Sequence, residues 1–210
     1  MGGTFDPIHF GHLRPALEIV EQLGLRELRF IPSAKPPHRW QPEASASDRL
    51  KMTELAIAGI EQFILDEREY QRDGASYTVD TLKSVRNEIG NQEPLCMIIG
   101  LDAFQSFTQW RDWQTILNLC HLVVAPRPGY QAASGDAWAK PYLSSNAGDL
   151  SRKTSGKIFF ATVTQFDISA TMIRKQLLNG YSASYLLPQS VYNYIKQQRL
   201  YIHKNQTKYG

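Results

Sequence analysis

The chain has 210 residues, of which 42% are hydrophobic and 20% charged, and its net charge is +3. That is enough apolar material for one packed α/β domain with a small appended lobe, and it excludes a disordered or fibrous chain. A pI of about 8.8 suits small anionic substrates. The excess is too slight and too evenly spread to argue for nucleic acid, and no apolar run approaches the roughly 18 residues of a membrane span.

MGGTFDPIHF reads as turn chemistry followed by a helix signal. The stripe Leu13, Ala16, Leu17, Val20 and Leu23 predicts a helix over about 11–23, with Pro15 in its first turn and Gly24 as C-cap. A strand is expected over 28–32, a Pro-rich loop over 33–46, and a helix from Ser47 to about position 59. Strand 63–67, helix 78–88, strand 95–100, helix 115–119 and strand 121–126 follow in turn. Positions 131–154 are Ser/Gly-rich and read as an irregular insertion; then come strand 157–163 and helices 169–179 and 189–199.

This alternation predicts an α/β fold with a doubly wound, mostly parallel, Rossmann-like sheet. It forms a single domain, 1–210, with a closing helical segment over about 168–200. Ligands of such sheets bind beyond the carboxyl ends of the strands, and most of the polar motifs here follow strands directly. A glycine turn that opens a helix normally follows a strand. Here only Met1 precedes it, so the first strand is expected to be missing from this chain, as if it opened on an internal methionine.

No secretory signal precedes the first motif, and Asp6 stands where a myristoylation motif needs Ser or Thr. Cys96 and Cys120 sit in apolar runs without CxxC spacing and read as inert core thiols, in keeping with a reducing, cytoplasmic location.

Two segments carry chemistry. In the first, Gly2, Gly3, Thr4 and Phe5 lead through Asp6-Pro7 to His9-Phe10-Gly11-His12. Glycines let backbone N–H groups approach phosphate oxygens, and a helix N-terminus favours an anion. His9 and His12 are spaced to face one phosphate, which imidazole N–H groups can bind. A bare glycine turn with solvated histidines is the bland alternative, and the combination argues against it. In the second segment, Ile168-Ser169-Ala170-Thr171-Met172-Ile173-Arg174, Ser169 is an N-cap, and Arg174 a turn later makes another anion site. Alone, this segment reads as an ordinary capped helix.

Together the segments resemble the nucleotidyltransferase superfamily that shares HxGH and ISxTxxR motifs. Further stretches narrow the likeness: Lys35-Pro36-Pro37-His38, Arg68-Glu69, Gly74-Ala75-Ser76-Tyr77-Thr78-Val79-Asp80-Thr81-Leu82, Gly100-Leu101-Asp102, Trp110 and Arg127-Pro128-Gly129-Tyr130. These resemble the bacterial nicotinate-nucleotide adenylyltransferase family, in the family's order and over nearly the whole chain.

The resemblance implies transfer of the adenylyl group of ATP to nicotinate mononucleotide in NAD biosynthesis, giving deamido-NAD and pyrophosphate. It implies His9, His12 and Arg174 as the catalytic groups. They would hold the ATP phosphates together with Gly2, Gly3, Thr4, Phe5, Ile168 and Ser169, while Asp102 contacts the ribose. Lys35, His38, Tyr77, Thr78, Trp110, Arg111 and Arg127 would form the nicotinate mononucleotide site, with Trp110 stacked on the pyridine ring. Mg²⁺ is expected on the substrate phosphates, with no carboxylate cage of its own. Partners would be small molecules, with neither nucleic acid nor membrane, and a homo-oligomer is left open.

Bland rivals accompany these roles. Asp102 and Thr78 are also natural helix caps, Trp113 and His121 read as core, and His203 as an idle tail residue. No nucleophile stands beside a base, in accord with direct in-line transfer. A sister transferase with a phosphopantetheine or choline-type acceptor is the rival enzyme. A non-catalytic nucleotide-binding module is the rival of another class.

Overall fold

Strands and helices alternate from the first residues, and every registered strand pair is parallel. The computed structural model describes residues 1–36, 41–126 and 137–202. The first half runs β1 (Gly2–Gly3), α1 (Phe10–Leu23), β2 (Leu28–Pro32), α2 (Ala46–Ile57), β3 (Phe63–Leu65) and α3 (Thr78–Ile89). The second half runs β4 (Cys96–Gly100), α4 (Leu101–Gln105), α5 (Trp113–Leu119), β5 (His121–Ala125), β6 (Leu143–Ser144), α6 (Asp149–Arg152), β7 (Ile158–Phe160), α7 (Ala170–Leu178) and α8 (Gln189–Gln197).

The strands form two sheets, β1-β2-β3 and β4-β5-β7-β6. β1 also lies beside β4, so the sheets meet there. From that junction the chain winds outward in both directions, which makes it the switch point where such sheets bind ligands. Alternate residues of β4, β5 and β7 feed two apolar layers. Ile98, Val123 and Phe159 face α1, α7 and α8, whereas Met97, Ile99, Leu122, Val124 and Ile158 face α3, α4 and α5. Burial on both faces is what turns these strands into continuous apolar runs.

Several expectations need correction. The first strand is present as a short one: Gly2 pairs with Ile31 and Gly3 with Pro32. The Met1 amine also donates to the Arg29 carbonyl at 2.7 Å. Glycine has low strand propensity, so the pair reads as a turn from sequence. α1 begins at Phe10, which puts Pro15 in the second turn. Its missing N–H leaves only the Gly11 carbonyl without an intrahelical donor. α2 is capped by Ser45, whose hydroxyl accepts the Asp48 N–H at 3.1 Å, and not by Ser47. Gly100 and Tyr77 occupy the cap positions assigned above to Asp102 and Thr78. Within the expected irregular insertion, positions 137–154 form β6 and α6, and positions 131–136 lie outside the described residues.

Candidate functional site

β1 delivers the chain to Thr4, and Phe5 then turns through left-handed backbone with φ 49°. Its ring lies over Gly3, where a Cβ would sit 2.7 Å from the ring. The glycine therefore makes room for Phe5 as well as for any ligand. Asp6 is a structural peg. Its carboxylate accepts the Glu43 N–H (2.8 Å), the Ala44 N–H (3.1 Å) and the Tyr201 hydroxyl (2.7 Å). Burial and that carboxylate push the Tyr201 hydroxyl up, so it remains the donor.

His9 is the N-cap of α1 and is buried, and His12 lies one turn on. Their rings are 3.8 Å apart between centroids, and Phe5 meets the His12 ring edge-on. The His9 backbone N–H donates to His12 Nδ1 at 3.3 Å. That bond makes Nδ1 an acceptor and puts the His12 proton on Nε2. Burial lowers the His9 pKa to about 2, helped by its neighbour His12, and burial lowers His12 to about 4. Burial thus favours the neutral form of both rings, and a neutral ring keeps one N–H available to donate. Protonated rings are the less favoured form here.

The second motif is brought against the first through Gly11. A Cβ on Gly11 would come within 2.9 Å of His9 Nδ1 and 3.1 Å of the Ile168 carbonyl. Ser169 caps α7 by accepting the Met172 N–H at 3.2 Å. Arg174 then reaches back, donating to the Asp6 carbonyl at 2.8 Å and to Glu43 Oε1 at 2.7 Å. Gly3, Thr4, Phe5, His9, His12, Ile168, Ser169 and Arg174 are therefore one cluster at the carboxyl end of β1. It contains two neutral imidazoles, a guanidinium and the starts of two helices.

The residues assigned to the acceptor form a second group. Lys35 and Ser76 are joined twice, by Lys35 N–H to Ser76 Oγ (3.2 Å) and by Ser76 N–H to the Lys35 carbonyl (3.0 Å). Ser76 leads into Tyr77 and Thr78 at the start of α3. The Arg111 guanidinium lies 4.6 Å over the Tyr77 ring, a cation–π contact. Trp110 is half-buried and packs on Phe107 (5.5 Å), and Trp113 packs on Phe107 and Trp138. Asp102 is exposed in the first turn of α4, directly after β4. His38, Arg127 and His203 lie outside the described residues.

Glu43 and Arg49 escaped the sequence reading, and Asp6 was read only as part of the turn. Arg49 is 1% exposed on α2, and its bonds among the described residues run to carbonyls: Thr4 (2.8 Å), Ser33 (2.6 Å) and Ala34 (3.2 Å). A sequence signal existed, since Arg49 shares a helix face with Met52 and Thr53, which are buried too. His121 is structural: Nδ1 accepts the Lys157 N–H, and Nε2 bonds the Lys153 carbonyl. Burial raises Cys96 to about 12 and moves Cys120 the same way, so both are unreactive thiols.

Among the described residues no group of three or more His, Cys, Asp or Glu could hold a metal, and no helix is long and apolar enough to cross a membrane.

Comparison with known proteins gives the same picture. The cytidylyltransferase-like family matches residues 1–176. A probable nicotinate-nucleotide adenylyltransferase of Yersinia pestis (strain Pestoides F) is 45% identical over 204 residues, covering 95% of this chain and 93% of the relative. One from Citrobacter koseri is 47% identical, covering 95% and 96%. The fold is similar to that of Plasmodium falciparum nicotinic acid mononucleotide adenylyltransferase complexed with NaAD. That match has a TM-score of 0.72 at 16% identity, covering 95% of this chain and 94% of the other.

Proposed function

Because the chain belongs to the cytidylyltransferase-like family and, within it, to the nicotinate-nucleotide adenylyltransferases, we propose that it transfers the adenylyl group of ATP to nicotinate mononucleotide. A phosphate oxygen of the mononucleotide attacks the α-phosphorus of ATP. The bond from that phosphorus to the bridging oxygen breaks, and pyrophosphate leaves with deamido-NAD as product. The observation that carries this reading is the meeting of the two motif segments at Gly11 and Ile168, beside the switch point of the sheet.

The protein's part is positioning and charge stabilisation. His12 Nε2–H and the Gly11 N–H in the first turn of α1 donate to the phosphates, since the Phe10 and His12 N–H groups are taken by the Leu186 and His9 carbonyls. Arg174, fixed by the Asp6 carbonyl, meets the charge that builds on the departing pyrophosphate. Asp102 takes the ribose. Lys35 and the start of α3 take the mononucleotide, with Trp110 against its ring. Mg²⁺ travels with the ATP phosphates. Among the described residues of the cluster, the Asp6 carboxylate already accepts from three donors and the Glu43 carboxylate holds Arg174. Two small-molecule substrates and protonated thiols suit the cytoplasm.

The test is direct. Purified protein incubated with ATP, Mg²⁺ and nicotinate mononucleotide releases pyrophosphate and forms deamido-NAD. Release with phosphopantetheine in place of the mononucleotide, and none with the mononucleotide, would reassign the acceptor. Nucleotide binding without turnover would leave a binding module.

A further inference from the structure

The two halves of the proposed site belong to different elements, and the transfer requires them in register. The ATP half sits on the turn after β1, and the acceptor half on the start of α3. Between them runs one connected set of partly buried hydrogen bonds. Arg49 Nη1 takes both the Thr4 carbonyl (2.8 Å) and the Ser33 carbonyl (2.6 Å), and Nη2 takes the Ala34 carbonyl (3.2 Å). The Ser33 N–H closes the ring by donating to the Gly3 carbonyl at 2.8 Å. Lys35, which follows Ala34, makes its two hydrogen bonds with Ser76, which is 9% exposed, and Ser76 is the neighbour of Tyr77.

Among the described residues the Arg49 guanidinium hydrogen-bonds to carbonyls alone, and burying a charge on such partners is an expensive way to staple a core. Arg49 Nε has no hydrogen-bond partner among the described residues. An apolar side chain would fill the same interior without that penalty. What only the planar fork supplies is a fixed distance among three carbonyls from two segments.

We propose that Arg49 and Ser76 are positioning residues, forming a strut that sets the ATP half of the site against the acceptor half and couples the binding of the two substrates. The inference rests on the functional reading above. Neither residue touches substrate. Their work is to place the attacking phosphate oxygen, and a misplacement of about 1 Å lowers such a rate by about a hundredfold.

The test compares wild type, Arg49→Lys and Ser76→Ala. Calorimetry measures the affinity for nicotinate mononucleotide with and without a saturating non-hydrolysable ATP analogue, beside kcat, both KM values and a thermal melt. In wild type the analogue tightens the acceptor at least about fivefold, within the usual span of coupling between sites. In both variants that ratio falls toward one and kcat falls at least about tenfold, while the affinity for the ATP analogue alone stays within about twofold, because coupling lost for one ligand is lost equally for the other. Folded variants that keep the ratio and kcat would overturn the strut, and so would a wild type whose acceptor affinity ignores the analogue. A residue that merely stabilises the fold lowers the melt and leaves the ratio alone. If Arg49→Lys does not fold, Ser76→Ala decides, since it removes one hydroxyl. A wild type that makes no pyrophosphate defeats the functional reading itself, a result distinct from lost coupling in an active enzyme.

Discussion

At position 11 two effects of opposite sign meet, and their magnitudes decide the outcome. Replacing a helical glycine by alanine ordinarily stabilises by about 1 kcal/mol. Here the new Cβ lands 2.9 Å from His9 Nδ1 and 3.1 Å from the Ile168 carbonyl, and the second is backbone that cannot swing away. Overpacking of this kind costs about 1–3 kcal/mol. Gly11→Ala is therefore expected to lower the melting temperature and, by displacing His9 or parting α1 from α7, to reduce turnover at least about tenfold. A variant with unchanged melt and rate would show that the two helix starts do not depend on this contact. Glu43 poses a milder question. Its carboxylate is half-exposed and holds Arg174 at 2.7 Å, where the proposed mechanism needs the guanidinium for phosphate. Exposed pairs contribute about 0.2–1 kcal/mol. Glu43→Gln should thus lower the KM for ATP by at most about fivefold, and a raised KM would mean that Glu43 orients Arg174 instead of competing for it. His9 and His12 were legible in the sequence from their spacing beside the glycine turn, whereas Ser169 and Arg174 read alone as an ordinary capped helix and stood out only in combination with the first segment. Asp6 was visible only as part of a turn, and Glu43 not at all, because their roles come from contacts with residues such as Tyr201 and Arg174, far away in sequence.

Elements with a strong period or an apolar run were legible, including the three-residue strands β3 and β7, whereas short elements without either were not. β2 falls where the apolar run LRFIP predicts it, and α7 and α8 start within a residue of their signals. α4, β6 and α6 have five, two and four residues and leave no room for a period to show. β1 was missed because its identity comes from its neighbour β2, through a ladder that glycines do not advertise. In the proposed site the acceptor lies at the start of α3. Asp80 and Thr81 N–H groups are taken by the Tyr77 carbonyl. Thr78 and Val79 precede any intrahelical acceptor, so their N–H groups are donors that a carboxylate satisfies and a carboxamide nitrogen does not. An unsatisfied buried donor costs about 1–3 kcal/mol. The specificity constant for nicotinate mononucleotide should exceed that for the nicotinamide form by about tenfold to a hundredfold. Trp110→Ala should weaken both and leave their ratio nearly unchanged. Equal constants in wild type would remove this helix start from acceptor recognition while leaving phosphate transfer intact.

Across the fold, the histidines link stability to pH in a direction that the sequence could not reveal. Two are held by the site and a third by the sheet. His9 is lowered to about 2 and His12 to about 4 by burial, and burial lowers His121 as well. In the unfolded chain each titrates near its ordinary value of about 6.5. Between the folded and unfolded values the unfolded chain binds more protons, so stability rises with pH there. It is fully present above about pH 7.5, and it declines as pH falls through 6.5 toward 4. Each histidine that stays neutral contributes up to about 1.4 kcal/mol per pH unit within that window. The midpoint of urea unfolding should therefore drop between pH 7.5 and pH 5, above the range where most carboxylates titrate. His12→Asn keeps an oxygen to accept the His9 N–H but removes one titrating ring, so its pH dependence should be shallower than wild type whatever its stability at pH 7.5. ATP acts on the same equilibrium from the other side. Its phosphates favour a protonated imidazole, so the stabilisation that nucleotide gives should grow as pH falls, and in His12→Asn that growth should shrink. Parallel urea curves for wild type and variant across pH 5–7.5, with and without nucleotide, would show that His12 is not held neutral by its surroundings.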